Sequence, residues 1–181
     1  MTTTTTDAHP DQLDDVRPDY FAVPDPLDPD WPDSTRLSYW YRPKRGRKAG
    51  EILPWPPRRN RWGTLLRADV LAQPPEQRET YQVNHWTLVR AGRREVARQI
   101  EQDPIGCAAR FAAAQSICCC CGRALTDEHS KAYGIGPDCR QGIRPDVLAA
   151  LIAAMAAAHA AGRVSWRGNA HDDPELFEAG R

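Results

Sequence analysis

Apolar and polar residues alternate in only a few stretches of the chain, and each stretch predicts one element. TRLSYWYR, residues 35–42, is aromatic-rich with partial period-two spacing and predicts a strand. PKRGRKAGE follows as a turn punctuated by Gly46 and Gly50. EILPWPPRRNRWGTLLRA allows at most two short strands, because Pro54, Pro56 and Pro57 confine the first to an edge or end it. TYQVNHWTLV, residues 80–89, alternates through Tyr81, Val83, His85 (or its neighbour Trp86) and Leu88, and predicts a further strand. Residues 35–90 thus read as a small antiparallel sheet.

Beyond that point the period lengthens. In GRREVARQIEQDP, Val96 and Ile100, with Ala97 beside them, share one helical face, and Pro104 ends the run. DPIGCAARFAAAQ starts a second helix with Asp103 as N-cap and Pro104 in its first turn; its apolar face is Cys107, Ala108 and Phe111. RPDVLAALIAAMAAAHAAGRV predicts the longest helix. Pro145 and Asp146 suit its start, Gly162 its C-terminal cap, and Val147, Leu148, Leu151, Ile152 and Met155 form its apolar stripe.

Residues 1–33 show neither period. They are rich in Thr, Asp and Pro, and bury too little apolar surface to offset the entropy of ordering, so a disordered arm is expected. YFAV, residues 20–23, and Trp31 are the only places where this arm has anything to dock with. The expected organisation is a disordered acidic arm (1–34), a small β-rich basic region with one helix (35–103), a compact cysteine-bearing module (104–144), an Ala-rich helix (145–162) and a flexible polar tail (163–181). The fold class is α+β.

Charge changes this picture. The chain carries 24 basic and 24 acidic residues and is formally neutral. Yet residues 1–35 hold nine Asp against Arg17 alone, while residues 36–67 hold ten Lys or Arg against Glu51. This asymmetry points to a polyanionic partner, to masking of the basic block by the arm, or to both. Cations and aromatic rings interleave in the block, where Arg42, Lys44, Arg45, Arg47, Lys48, Arg58, Arg59 and Arg61 accompany Tyr39, Trp40, Tyr41, Trp55 and Trp62. Such a surface neutralises phosphates and stacks bases, so DNA or RNA is a candidate partner. The same rings also suit a packed strand, and the cations a solvated hairpin tip. No apolar run is long enough for a membrane span and the N-terminus lacks a secretory pattern, so a cytoplasmic setting is expected.

In a reducing compartment clustered cysteines point to metal before disulfides. Five of six cysteines fall within residues 117–140, four of them consecutive. Gly122 follows Cys121, and a glycine after the second ligand of a Cys-x-x-Cys turn lets the backbone adopt positive φ, which selects Cys118 and Cys121 as one pair. GIGPDC then reads as a tight loop opening a helix, with Cys139 in its first turn, where the helix dipole favours a thiolate. A knuckle, a short hairpin and a helix bearing a third ligand form a treble-clef-like arrangement around Zn2+. The fourth ligand stays open among His129, Asp127, Cys107 and water. Cys107, Cys119 and Cys120 equally suit plain core packing.

CCCCGRALTDEHSKAYGIGPDC resembles the signature of an uncharacterised family of small proteins from actinobacteria and their phages, a domain of unknown function. The shared residues are Cys118, Cys121, Gly122, Arg123, Leu125, Thr126, Asp127, Ser130, Gly134, Ile135, Gly136, Pro137 and Cys139. The helix before the knuckle and, more weakly, YWYRPKRGRKAGEI extend the resemblance over residues 36–143. His129 lies outside the shared pattern, so the resemblance favours Asp127 over it. What it implies is a zinc module, not an activity.

The expectation is therefore a zinc-binding, non-catalytic accessory protein that contacts nucleic acid through its basic block. The alternative is a protein-interaction module with a structural zinc, using the 145–162 helix. A zinc-dependent hydrolase ranks below both, because Glu128 and His129 are adjacent and no cysteine follows Cys139 at position 142, so the deaminase ligand pattern fails.

Overall fold

The computed structural model describes residues 16–165. The first fifteen residues of the expected arm and residues 166–181 of the expected tail lie outside the described residues. Three strands form one antiparallel sheet in the order β1 (Tyr20–Pro24), β2 (Leu37–Tyr41) and β3 (Leu53–Pro54). Six helices follow among the described residues: α1 (Arg67–Leu71), α2 (Arg78–Gln102), α3 (Pro104–Gln115), α4 (Glu128–Tyr133), α5 (Pro137–Gly142) and α6 (Pro145–Ser165). The class is α+β with a small antiparallel sheet.

Two expectations fail. The first concerns the acidic arm, whose residues 16–34 are part of the fold. Its YFAV run is β1, paired with β2 in the register Tyr20↔Tyr41, Phe21↔Trp40 and Ala22↔Tyr39. Phe21, Ala22 and Val23 are all buried. A strand this short is covered on both faces because α3 packs on it and α2 touches it. Arg110 of α3 also donates from Nε to the Ala22 carbonyl at 3.2 Å, satisfying a backbone acceptor at the sheet edge. The charge asymmetry becomes local pairing. Buried Asp25 accepts from Arg36 Nη2 at 2.6 Å and from Trp62 Nε1 at 2.9 Å.

The second failure is the strand at 80–89, which lies inside the 25-residue helix α2. The period-two residues Val83 and Leu88 are exposed. The stripe that faces the protein is His85, Val89, Gly92, Val96 and Ile100, at helical spacing; the last four are buried. His85 Nε2 lies 3.1 Å from the Gly63 carbonyl oxygen. The expected helix at 92–104 is the second half of this element. The sheet therefore spans residues 20–54, not 35–90.

Most local signals elsewhere act as the sequence implies. Asp103 accepts from the Gly106 N–H at 2.8 Å and caps α3, with Pro104 in the first turn. The Ala-rich faces of α3 and α6 let those helices pack closely, with Phe111, Ala112, Leu151 and Met155 fully or nearly fully buried. Helix α6 runs to Ser165, so Gly162 lies within it and is not its cap.

Candidate metal centre

The knuckle is built from backbone. Cys118 N–H donates to Arg123 O at 2.8 Å, and Gly122 N–H donates to Cys118 O at 2.9 Å, closing a tight turn. Gly122 has φ +74°, and a Cβ there would sit 2.4 Å from the Tyr20 hydroxyl, so both the turn and the close approach of Tyr20 require glycine. Ile117 and Ala124 form a β-bridge across the base of the turn. Cys119 ties the knuckle to the rest of the protein. Its N–H donates to Gly134 O at 3.1 Å, and its carbonyl accepts from Asp19 N–H at 2.8 Å and Tyr20 N–H at 3.0 Å. The segment expected to be disordered is thus a clamp on the cysteine turn.

The helix α5 starts at Pro137 with Gly136 as N-cap and carries Cys139 in its first turn. The Sγ atoms of Cys118, Cys121 and Cys139 all lie within 4.8 Å of one another. Thiolates on a tetrahedral zinc-sized ion stand about 3.8 Å apart, so the cluster closes on an ion with shifts of about 1 Å or less. Its donors are three sulfurs, which suit soft and borderline ions. This cluster can hold a metal ion.

Its sulfurs differ in environment. Cys118 is fully buried, and its thiol is pulled down by hydrogen bonding from the Cys120 thiol, assisted by backbone N–H groups of Gly136, Cys120 and Cys121. Gly136 N stands 3.5 Å from that sulfur. Cys139 is pushed up, first by burial and then by its neighbours Cys118 and Cys121. A cation placed among the three sulfurs would favour the thiolate form of Cys139 that burial and its neighbours oppose.

The other cysteines pack. Cys119 and Cys120 are buried, and hydrogen bonding to Cys118 and Cys119 keeps the Cys120 proton on its sulfur. Cys107 is fully buried on α3, with its sulfur 3.0 Å from Arg110 Nη2, and burial raises its thiol. It does not reach the cluster. Nor does His129, which is exposed on α4 with its ring 6.4 Å from that of Tyr133. Asp127 has a different task. It is the N-cap of α4 and accepts from the Ser130 N–H at 2.8 Å; Ser130's hydroxyl and amide hold its carboxyl below the usual range. This capping role explains Asp127 in the motif without metal. None of the three proposed fourth ligands joins the sulfurs in the described structure.

The basic block divides. Lys44, Arg45, Arg47, Lys48, Arg58, Arg59 and Arg61 are exposed, whereas Arg42 is half-buried and lies 5.3 Å from the centroid of the Phe21 ring. The aromatic residues between them are engaged in packing. Trp40 is buried and meets Trp62 edge-on at 4.7 Å, while Trp55 meets Phe111 at 5.2 Å and Tyr39 at 6.3 Å. Trp40 is core and Tyr39, Trp55 and Trp62 are half-buried in these contacts, which leaves only part of each ring face open for stacking. Among residues missed by sequence reasoning, Asp19 and Tyr20 stand out, both set against the knuckle. The YFAV run was the available signal, and its context of Asp and Pro concealed it.

A family described only as "Family of unknown function (DUF6011)" matches residues 108–144, from early in α3 to the residue before α6. The match is narrower than the resemblance expected from the motif, and leaves the strands outside it. No curated protein and no solved structure matches the chain. No helix among the described residues is long and apolar enough to cross a membrane.

Proposed function

We propose that this is a non-catalytic accessory protein in which Cys118, Cys121 and Cys139 hold a structural zinc ion and the exposed cations of residues 44–61 hold the phosphate backbone of a nucleic acid. The convergence of three sulfurs within 4.8 Å is the observation that carries the reading. A knuckle followed by a ligand in the first turn of α5 supports a treble-clef-like module. Six free cysteines support a reducing, cytoplasmic setting. The motif supports kinship with the uncharacterised proteins of actinobacteria and their phages. For nucleic acid, the support is charge: Arg45, Arg47, Lys48, Arg58 and Arg61 are exposed with no ion pair among the described residues. With Trp40 buried and the neighbouring rings half-buried, the contact rests on charge and is indifferent to base sequence.

Metal quantification on purified protein tests the first half. Wild type, His129→Ala and Asp127→Ala should each carry one equivalent of zinc, and Cys121→Ser much less; equal zinc in Cys121→Ser refutes it. Asp127→Ala should lose about 1 kcal/mol of stability as a cap, with its metal intact. For the second half, five phosphate contacts on a single strand give a slope of about −3.5 in log affinity against log salt. Affinity without salt dependence, or no affinity at low salt, overturns it.

A second reading has its own observation. The α6 stripe expected for a protein partner is used internally by Leu151 and Met155, whereas Leu66, Leu71, Val83, Trp86 and Leu88 are exposed along α1 and α2. Protein contact there would survive high salt.

A further inference from the structure

The basic loop and the knuckle flank an open cavity of about 380 Å3. Arg42, Lys44 and Arg45 line it together with Cys121, Tyr20, Tyr41 and the carboxylate residue Asp19. The two tyrosine rings stack at 6.1 Å, and their hydroxyls can donate to a ligand.

Asp19 sits beneath the cations. Its side chain is only 2% exposed, and neither carboxylate oxygen has a hydrogen bond. It gathers charge instead: Lys44 Nζ is 3.3 Å away, Arg17 Nε 3.7 Å and Arg42 Nη1 4.0 Å. Arg42 is fixed further by the Phe21 ring and by its own N–H, which donates to Asp19 O at 2.7 Å. Arg45 lines the same cavity with no ion pair among the described residues. Arg42 and Lys44 are thus held in place before any ligand arrives, which lowers the ordering entropy of binding.

The charge does not cancel. Arg17, Arg42 and Lys44 lie within 4.0 Å of the Asp19 carboxylate, Arg45 lines the cavity beside them, and three thiolates on a divalent ion would add one further negative charge. Two positive charges remain, which matches a phosphate monoester, close to −2 at neutral pH, better than a singly charged phosphodiester. We propose that this cavity is a binding site for a phosphate monoester. Resting on the nucleic-acid reading above, the inference assigns the site to the terminal phosphate of a strand, with the loop cations 47–61 following the backbone outward.

Anisotropy with zinc-loaded protein tests this at about 50 mM salt, where phosphate contacts are strong. One charge-assisted interaction gives about a tenfold preference for a 5′-phosphorylated single-stranded decamer over its 5′-hydroxyl form. Inorganic phosphate should compete with the phosphorylated strand. Lys44→Gln with Arg45→Gln should erase the preference. Arg47→Gln with Lys48→Gln, outside the cavity, should weaken both strands equally and keep the ratio. Equal affinity for the two strands overturns the terminal-phosphate site while leaving the nucleic-acid reading intact. Binding of inorganic phosphate, lost in Lys44→Gln with Arg45→Gln, but of neither strand would keep the site and remove the nucleic-acid reading.

Discussion

Phe21→Ala tests whether residues 16–34 belong to the core. Phe21 is 1% exposed, pairs with Trp40 across the sheet and lies under the Arg42 guanidinium. Removing its ring from a site packed by α2, α3 and β2 forfeits the transfer energy of the side chain and leaves a cavity, together about 3–5 kcal/mol. Domain stabilities are typically about 5–15 kcal/mol, so the loss is a large share of the whole. For a chain of this size each kcal/mol shifts Tm by about 2–4 °C, which places the expected drop at about 6–20 °C. The assay is thermal and urea unfolding of zinc-loaded protein followed by far-ultraviolet circular dichroism. Exposed Asp30→Ala is the control and should stay within about 0.5 kcal/mol of wild type. Because Asp19 and Tyr20 hydrogen-bond the Cys119 carbonyl just before this strand, Phe21→Ala should also weaken zinc retention against a chromophoric chelator. A loss below about 1 kcal/mol, in the range of ordinary surface changes, would refute the reasoning and return the segment to solvent. Deleting residues 1–33 would, on the same grounds, damage the fold instead of unmasking a binding surface.

Further outcomes follow from single sites. Gly134 has φ +69°, and a Cβ there would meet Met155 Sδ at 2.6 Å, so Gly134→Ala should lose about 2–5 kcal/mol in denaturant unfolding from strain and overpacking combined. Val83→Lys and Leu88→Lys should stay within about 0.5 kcal/mol of wild type, whereas Val96→Ala should lose about 1.5–3 kcal/mol; comparable losses at all three would restore the strand reading of residues 80–89. Chelation of the metal should abolish near-ultraviolet dichroism from the knuckle region and expose Cys121 and Cys139 to thiol reagents, while the α2 helical signal persists; unchanged thiol reactivity would argue against a shared ion.

The knuckle, the caps of α3 and α5, and the apolar stripe of α6 were determined by sequence alone. Each is a local device: Gly122 after Cys121, Asp103 before Pro104, Gly136 before Pro137, with every partner within a few residues or one short loop. The helical stripe from His85 to Ile100 was legible only over four turns, and Gly92 in its middle hid it while a four-residue alternation imitated a strand. Tertiary structure alone decided the fate of β1. An isolated YFAV among Asp and Pro cannot offset its own ordering entropy. It becomes a strand because β2 supplies hydrogen bonds some twenty residues on and Arg110 of α3 reaches back 88 residues to the Ala22 carbonyl. The same long-range closure buried Trp40, drew Trp55 and Trp62 half into the packing, and set Asp19 beneath the cations beside the cysteine cluster, a juxtaposition that no local pattern encodes.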